Sequence, residues 1–317
     1  MDAADTGVIV EGTRAEPSRR RARTVLAPAL LVLLGLLVLL YPVVATQWNN
    51  AKQLRAAREY SRIEQNTDPE RLSAAWESAR RYNAERASGP ILDPWLARVG
   101  QDNADYQAYL AELNQQQAMA RLVVPAATVD LPVYHGSTEK TLQRGVGHLY
   151  GTDLPVGGEG THAVLTAHTG LANATLFDNL TDVHAGDAIY VAVAGQRLKY
   201  EVESTEVVLP EETDSLAPVA DEDLITLVTC TPYGINTHRL LVTGHRVPMD
   251  PADAAGFADS GLHWQWWMWA ILAAALLILA RLAWWLIRAP RGRRAEAGTD
   301  PDRDPDGDSA ATEEHDR

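Results

Sequence analysis

One cysteine, Cys230, stands in a chain of 317 residues. A single thiol excludes an internal disulfide and leaves nothing from which to build a cysteine-rich metal cage. Basic residues are also short: 28 Lys and Arg face 42 Asp and Glu, for a formal net charge of −14. That balance speaks against nucleic acid as a partner, because binding a phosphate backbone needs a basic surface. The chain has no internal repeat, and its histidines are scattered rather than set at the short spacings of a zinc site. Neither a metal nor another cofactor is expected.

Apolar sequence, by contrast, is concentrated in two long runs, Thr24 to Ala45 and Leu262 to Ile287. Each is long enough to cross a hydrocarbon core of about 30 Å as a helix, which takes roughly 20 residues. Arg281 interrupts the second run, but near a helix end its long side chain reaches the headgroups. Trp264, Trp266, Trp267 and Trp269 at one end, and Trp284 and Trp285 at the other, suit the two interfaces. Basic clusters lie outside both runs, at Arg19 to Arg23 and at Arg288 to Arg294. Positive charge favours the cytoplasmic side, so both termini are expected inside and residues 46–261 outside. The first run also passes for a signal peptide with a cleavage site at Val43 to Ala45, but its length favours an anchor. Residues 288–317 turn from basic to acidic and are rich in Asp and Pro, the composition of a solvated, disordered tail.

Between the runs the texture changes once. Residues 46–118 read as helical, with Asp68 a fitting N-cap ahead of Pro69. Gly89, Pro90 and Pro94 interrupt this region with a loop at about 88–98, which nevertheless carries Ile91, Leu92, Trp95 and Leu96. A loop with such apolar weight should pack against something. Residues 119–250 break into short runs rich in Val, Leu, Thr and Tyr, separated by Gly, Pro, Asp and Asn. That pattern marks a β-sandwich or barrel.

Cys230 closes the run "LITLVTC" and precedes the turn-forming "TPYG", so its thiol should be reachable at a strand end. A thiol is a useful nucleophile only as thiolate, which calls for a nearby base. His135, His148, His162, His168, His184, His238 and His245 are the candidates. His168 ends the strand "THAVLTAH" ahead of a Gly-containing loop, as Cys230 ends its own strand. Arg239 opens the strand after the cysteine turn, where a hairpin would bring its guanidinium beside the thiol. A surface ion pair is the plainer use of such an arginine.

"TLVTC" followed by Arg239 resembles the active-site signature of the sortases. The stretch Gly145 to Leu180, "TPYGINTHRLLVTGHR", and "DPW" at Asp93 to Trp95 resemble the class C, pilin-polymerising branch, over residues 88–248 in all. An apolar run at each end resembles that class too. The resemblance implies a mainly β fold: a closed eight-stranded sortase barrel over residues 119–250, with N-terminal helices, a lid loop and a transmembrane helix at each end, 24–45 and 262–287. It implies Cys230 as nucleophile, His168 as acid and base, and Arg239 as oxyanion holder, with Asp93 and Trp95 of the lid over Arg239 and Cys230. It further implies cleavage of an LPXTG-like signal between Thr and Gly and transfer to a lysine amine of another pilin subunit, at the plasma membrane of a Gram-positive bacterium. "TAHTGL" departs from the class, which often has Gly before the histidine and Arg after it.

Three other readings stand beside this one. A cell-wall-anchoring sortase would use a peptidoglycan amine as acceptor. A non-catalytic module of the same fold would keep the residues without turnover. A surface protein that is itself anchored would need an LPXTG-like motif ahead of its second apolar run, and "HRVPMDPADAAGFADSG" holds none.

Overall fold

A computed structural model describes residues 17–85, 103–258 and 261–288, with side chains from residue 25 onward. The lid candidates Asp93 and Trp95 and the acidic tail lie outside the described residues. The described residues divide into two compact units, with the divisions at 32/33 and 276/277: one between these points, the other from the two ends.

The larger unit is built on a closed barrel of eight strands: β1 (Ala120–Val124), β2 (Val129–His135), β3 (Val146–His148), β4 (Thr161–Thr166), β5 (Ala188–Val193), β6 (Gln196–Val208), β7 (Asp223–Thr231) and β8 (His238–Val247). Around the barrel the order is β1-β2-β3-β4-β7-β8-β6-β5, closed by pairing of β5 with β1. Closure leaves no edge strand to pair with another chain. β2–β3 and β4–β7 are parallel; the other pairs are antiparallel. Alternation decides the faces: Leu165, Leu227, Ile225 and Val242 fill the interior, while Val164, Val228 and Leu241 point the other way. That outer set is covered by Leu216, from a 3-10 turn at Asp214–Leu216 in the β6–β7 connection. β3 is absent from the strands read off the sequence. It has three residues and lies next to Gly145, so it offers no run of alternating side chains.

Helices pack on the barrel through polar clamps as well as apolar contact. α1 is one continuous helix, Pro17–Gln65, running from the apolar run into the polar residues after it. Pro28 and Pro42 lie within it. Near its end, the Tyr60 hydroxyl donates to the Met119 carbonyl at 3.1 Å and accepts from the Ala194 amide at 3.0 Å. Glu64 accepts from the Gly195 amide at 2.6 Å and pairs with Arg197 at 2.7 Å. Ser61 accepts from Arg121, which also forks onto Asp130 with two bonds of 2.7 Å. Those charges are buried, so losing either partner would leave the other uncompensated. α2 (Pro69–Glu85) starts where Asp68 accepts from the Glu70 amide at 2.9 Å. Asn83 then ties it to Leu154 by two bonds, 2.8 and 3.1 Å. α3 (Ala104–Ala111) buries Tyr106 and Tyr109, and Tyr109 reaches His148 Nδ1 at 3.0 Å.

In the other unit, the described ends of α1 and of α5 (Trp266–Arg288) line an apolar cleft with Pro28, Val32, Leu277, Leu282 and Trp285. Both helices are long and apolar enough to cross a membrane, and most of their apolar side chains are exposed. Arg288 stacks over Trp284, 4.2 Å from its ring centre.

Candidate active site

β7 and β8 form a hairpin in which Cys230 pairs directly with Arg239. Residues opposite each other in an antiparallel pair share a face, with Cβ atoms roughly 4.5–5.5 Å apart. The same register sets Val228 against Leu241 and Thr226 against Thr243, and the two threonine hydroxyls meet at 2.8 Å. Cys230 and Arg239 therefore continue the outer row that the β6–β7 connection covers. Both are 8 % exposed. Arg239 Nη1 donates to the carbonyl of His238 at 3.2 Å.

His168 arrives on the neighbouring strand. β4 runs parallel to β7 with Thr166 level with Val228. The ladder continues past the strand end: the Ala167 amide donates to the Val228 carbonyl at 3.2 Å, and Thr229 Oγ1 donates to the Ala167 carbonyl at 2.9 Å. Two residues on from Thr166, His168 is level with Cys230. Adjacent strands lie about 4.8 Å apart, so imidazole, thiol and guanidinium come from three neighbouring strands at one rim. The His168 side chain is 14 % exposed.

The other histidines are placed elsewhere. His238 pairs with Thr231, one residue out of step with Cys230, and so takes the opposite face. His245 is level with Leu224 at the far end of the hairpin. His162 starts β4, with Nε2 2.7 Å from Thr226 Oγ1 and Nδ1 3.0 Å from the Ala217 carbonyl; burial pushes its pKa down. His148 is fully buried, its Nε2 2.7 Å from the Asp153 carbonyl. His135 meets the Glu112 carbonyl at 2.8 Å. His184 is exposed on a turn. Among the described residues, no three His, Cys, Asp or Glu gather as a metal site.

Two acidic residues near His168 escaped sequence reasoning. Glu139 opens the short helix α4 (Glu139–Leu142) and reaches His168 Nε2 at 3.3 Å. "STEKTL" shows the helix start, with Thr138 as N-cap, but not where that start would lie in space. Asp178 accepts from Thr169 Oγ1 at 3.1 Å and from the Gly170 amide at 2.8 Å, the two residues after His168. Burial pushes its carboxyl up to about 6.

Such a rim can perform acyl transfer. A thiolate supplies the nucleophile, an arginine fork holds an oxyanion, and an imidazole moves the proton. The sortase domain family matches residues 122–247. A curated relative, sortase A of Bacillus anthracis, is 30% identical over 137 residues, which is 43% of this chain and 63% of the relative. The chain thus spans less than two thirds of that relative's length. Solved structures are covered more fully. Sortase C-1 from Actinomyces oris is 57% identical with a TM-score of 0.56, covering 57% of this chain and 99% of that one. Sortase C of Streptococcus pneumoniae, described with reference to its pilin substrate specificity, is 37% identical with a TM-score of 0.56, covering 62% of this chain and 97% of that one.

Proposed function

We propose, for a chain that belongs to the sortase family and to its class C branch, that it is a membrane-anchored transpeptidase joining pilin subunits. The observation that carries this is the shared rim: Cys230 paired with Arg239 across the hairpin, with His168 two residues past the end of β4, which runs parallel to β7. The pilin reference of the streptococcal neighbour supports the choice of substrate.

The Cys230 sulfur attacks the carbonyl carbon of Thr in an LPXTG-like sorting signal, and the carbonyl oxygen becomes an oxyanion. Arg239 holds that oxygen through N–H donors already set by the hairpin, so little reorganisation is needed as charge develops. His168 gives its proton to the glycine nitrogen as the Thr–Gly bond breaks, leaving a thioester on Cys230. A lysine amine of a second pilin attacks the same carbon, His168 takes the amine proton, and the thiolate departs. The product is an isopeptide bond. Transfer outruns hydrolysis only if the amine is held in place and water kept away. Asp93 and Trp95 belong to this reading as a lid over the rim. Sulfur–aromatic contact is worth about 0.3–1.5 kcal/mol and an exposed ion pair about 0–1 kcal/mol, small enough for substrate to displace. The two apolar helices, with basic clusters outside both, support a two-span anchor with the barrel on the outer face and both termini inside.

The test is mass spectrometry of the full chain in detergent after mixing with a sorting-signal peptide, alone and with a lysine or a peptidoglycan-type amine. The proposal requires a peptide adduct on Cys230, released by the lysine acceptor. A lid-deleted form run in parallel guards against a closed gate. No adduct in either form, or release by the wall-type amine alone, would overturn it.

A further inference from the structure

We propose that Asp178 is a positioning residue for His168, fixing the turn on which the imidazole stands. This rests on the role given to His168 above. Three hydrogen bonds join residues 177–178 to residues 168–170. The Phe177 amide donates to the His168 carbonyl at 3.1 Å, and Asp178 Oδ1 accepts from both Thr169 Oγ1 and the Gly170 amide. The gripping side is itself fixed. Phe177 and Leu180 are fully buried, the Asp178 amide donates to the Thr175 carbonyl at 2.8 Å, and the Leu180 amide donates to the Phe177 carbonyl at 3.0 Å. Asp178 is thus a carboxylate on a rigid turn, holding the two residues next after the imidazole.

The gripped turn also abuts the connection that leaves Cys230. Gly170 has φ +76°, and a Cβ there would lie 3.3 Å from the Gly234 nitrogen and 3.9 Å from the Tyr233 ring. The turn therefore has little room, and its conformation suits glycine. This is the segment where the sequence has Thr169 in place of the arginine often found in the class. Here a hydroxyl and a carboxylate fix the backbone just beyond the histidine.

The grip depends on charge. Hydrogen bonds to an ionised acceptor are roughly twice as strong as neutral ones. Burial raises the Asp178 carboxyl to about 6, and its two donors pull only partly against that. The groups facing it are the Thr169 hydroxyl on its own connection and the Tyr233 phenol, whose own pKa is raised by burial and by Asp178. From α1, uncharged Asn50 meets the neighbouring Thr175. Among the described residues, no Lys or Arg pairs with Asp178. Protonation near pH 6 therefore weakens the hold on the turn.

The experiment uses the full chain in detergent, with Asp178→Asn, Thr169→Ser and Thr169→Val, and a sorting-signal peptide with an amine acceptor from pH 5 to 8. Asn keeps an acceptor oxygen but cannot ionise, so it mimics the protonated state. At pH 7.5 we expect Asp178→Asn to lower kcat about threefold to tenfold with KM for the peptide within about twofold. The ratio of wild type to variant should shrink toward about one at pH 5, where Asp178 of the wild type is itself protonated. Thr169→Ser should keep activity and Thr169→Val should lose part of it. A second readout needs no turnover: amide exchange at residues 169–171, corrected for intrinsic pH effects, should be faster in Asp178→Asn at pH 7.5 than in the wild type. A pH-independent ratio, or unchanged exchange, would overturn the inference. A wild type that turns over no peptide would instead count against the transpeptidase reading, and the exchange data would still decide the role of Asp178.

Discussion

At the scale of single residues, the rim is a problem of register. Cys230 and Arg239 lie on one hairpin with a turn between them, so the sequence alone could suggest that they meet. His168 could not be chosen that way. It reaches the rim through a parallel ladder between strands far apart in the chain; its strand-end position made it a candidate, and the family resemblance chose it from the seven histidines considered. Glu139 and Asp178 were not legible at all, because loops deliver them and no periodicity records where a loop ends in space. The proposed reaction asks much of Arg239. Its planar fork can bind an oxygen and a substrate backbone at once, whereas lysine offers a single flexible point of charge. Arg239→Lys should therefore cut kcat/KM by about 10²-fold, the scale of losing one oxyanion donor, measured by chromatography of peptide cleavage. Retention of near wild-type turnover would remove Arg239 from that role.

Among the elements, the long strands were readable and the short one was not. β6, β7 and β8 carry β-branched and apolar residues over nine or more positions. β3 has three residues, Val146, Gly147 and His148, and its place comes from neighbours rather than from its own pattern. It joins β2 to β4, so the barrel closes through it. Gly147 makes that fit possible: a Cβ there would lie 2.5 Å from the Gly136 carbonyl oxygen and 2.9 Å from Leu142 Cδ2. The carbonyl cannot move aside without breaking the turn after β2. Gly147→Ala should destabilise the protein by about 1–3 kcal/mol, the usual range for overpacking, and lower the thermal midpoint followed by tryptophan fluorescence. An unchanged midpoint would mean that β3 has slack which this close contact denies. α1 shows what composition leaves unsaid. Its apolar run and its polar run differ in composition, and the backbone helix crosses that change without a break. Composition reports the surroundings of a helix, not where its hydrogen bonds stop.

For the molecule as a whole, acid should act through two opposed sets of buried groups. Burial lowers the pKa of His135 and His162, so the unfolded chain binds protons that the folded one refuses. Their contribution to stability is present above about pH 6.5, the unfolded histidine value, and is lost as pH falls through it. Burial raises Asp178 to about 6 and also raises Asp223, so the folded state takes up protons first and gains stability as pH falls through these raised values. The two sets separate by mutation. Between pH 7 and 5, His162→Gln should lose less thermal stability than the wild type, and Asp178→Asn should lose more; parallel curves for all three proteins would contradict the assignment. The fold class was visible early because strand texture and apolar runs are written along the chain, whereas closure of the barrel is not, since it depends on the β1–β5 and β4–β7 contacts that no local pattern encodes. The solitary thiol has a further cost under oxidants. A sulfenic acid formed on Cys230 would find no second thiol in the chain to condense with. Rescue would depend on a small reductant from the surroundings, and without one the damage would proceed to an irreversible acid.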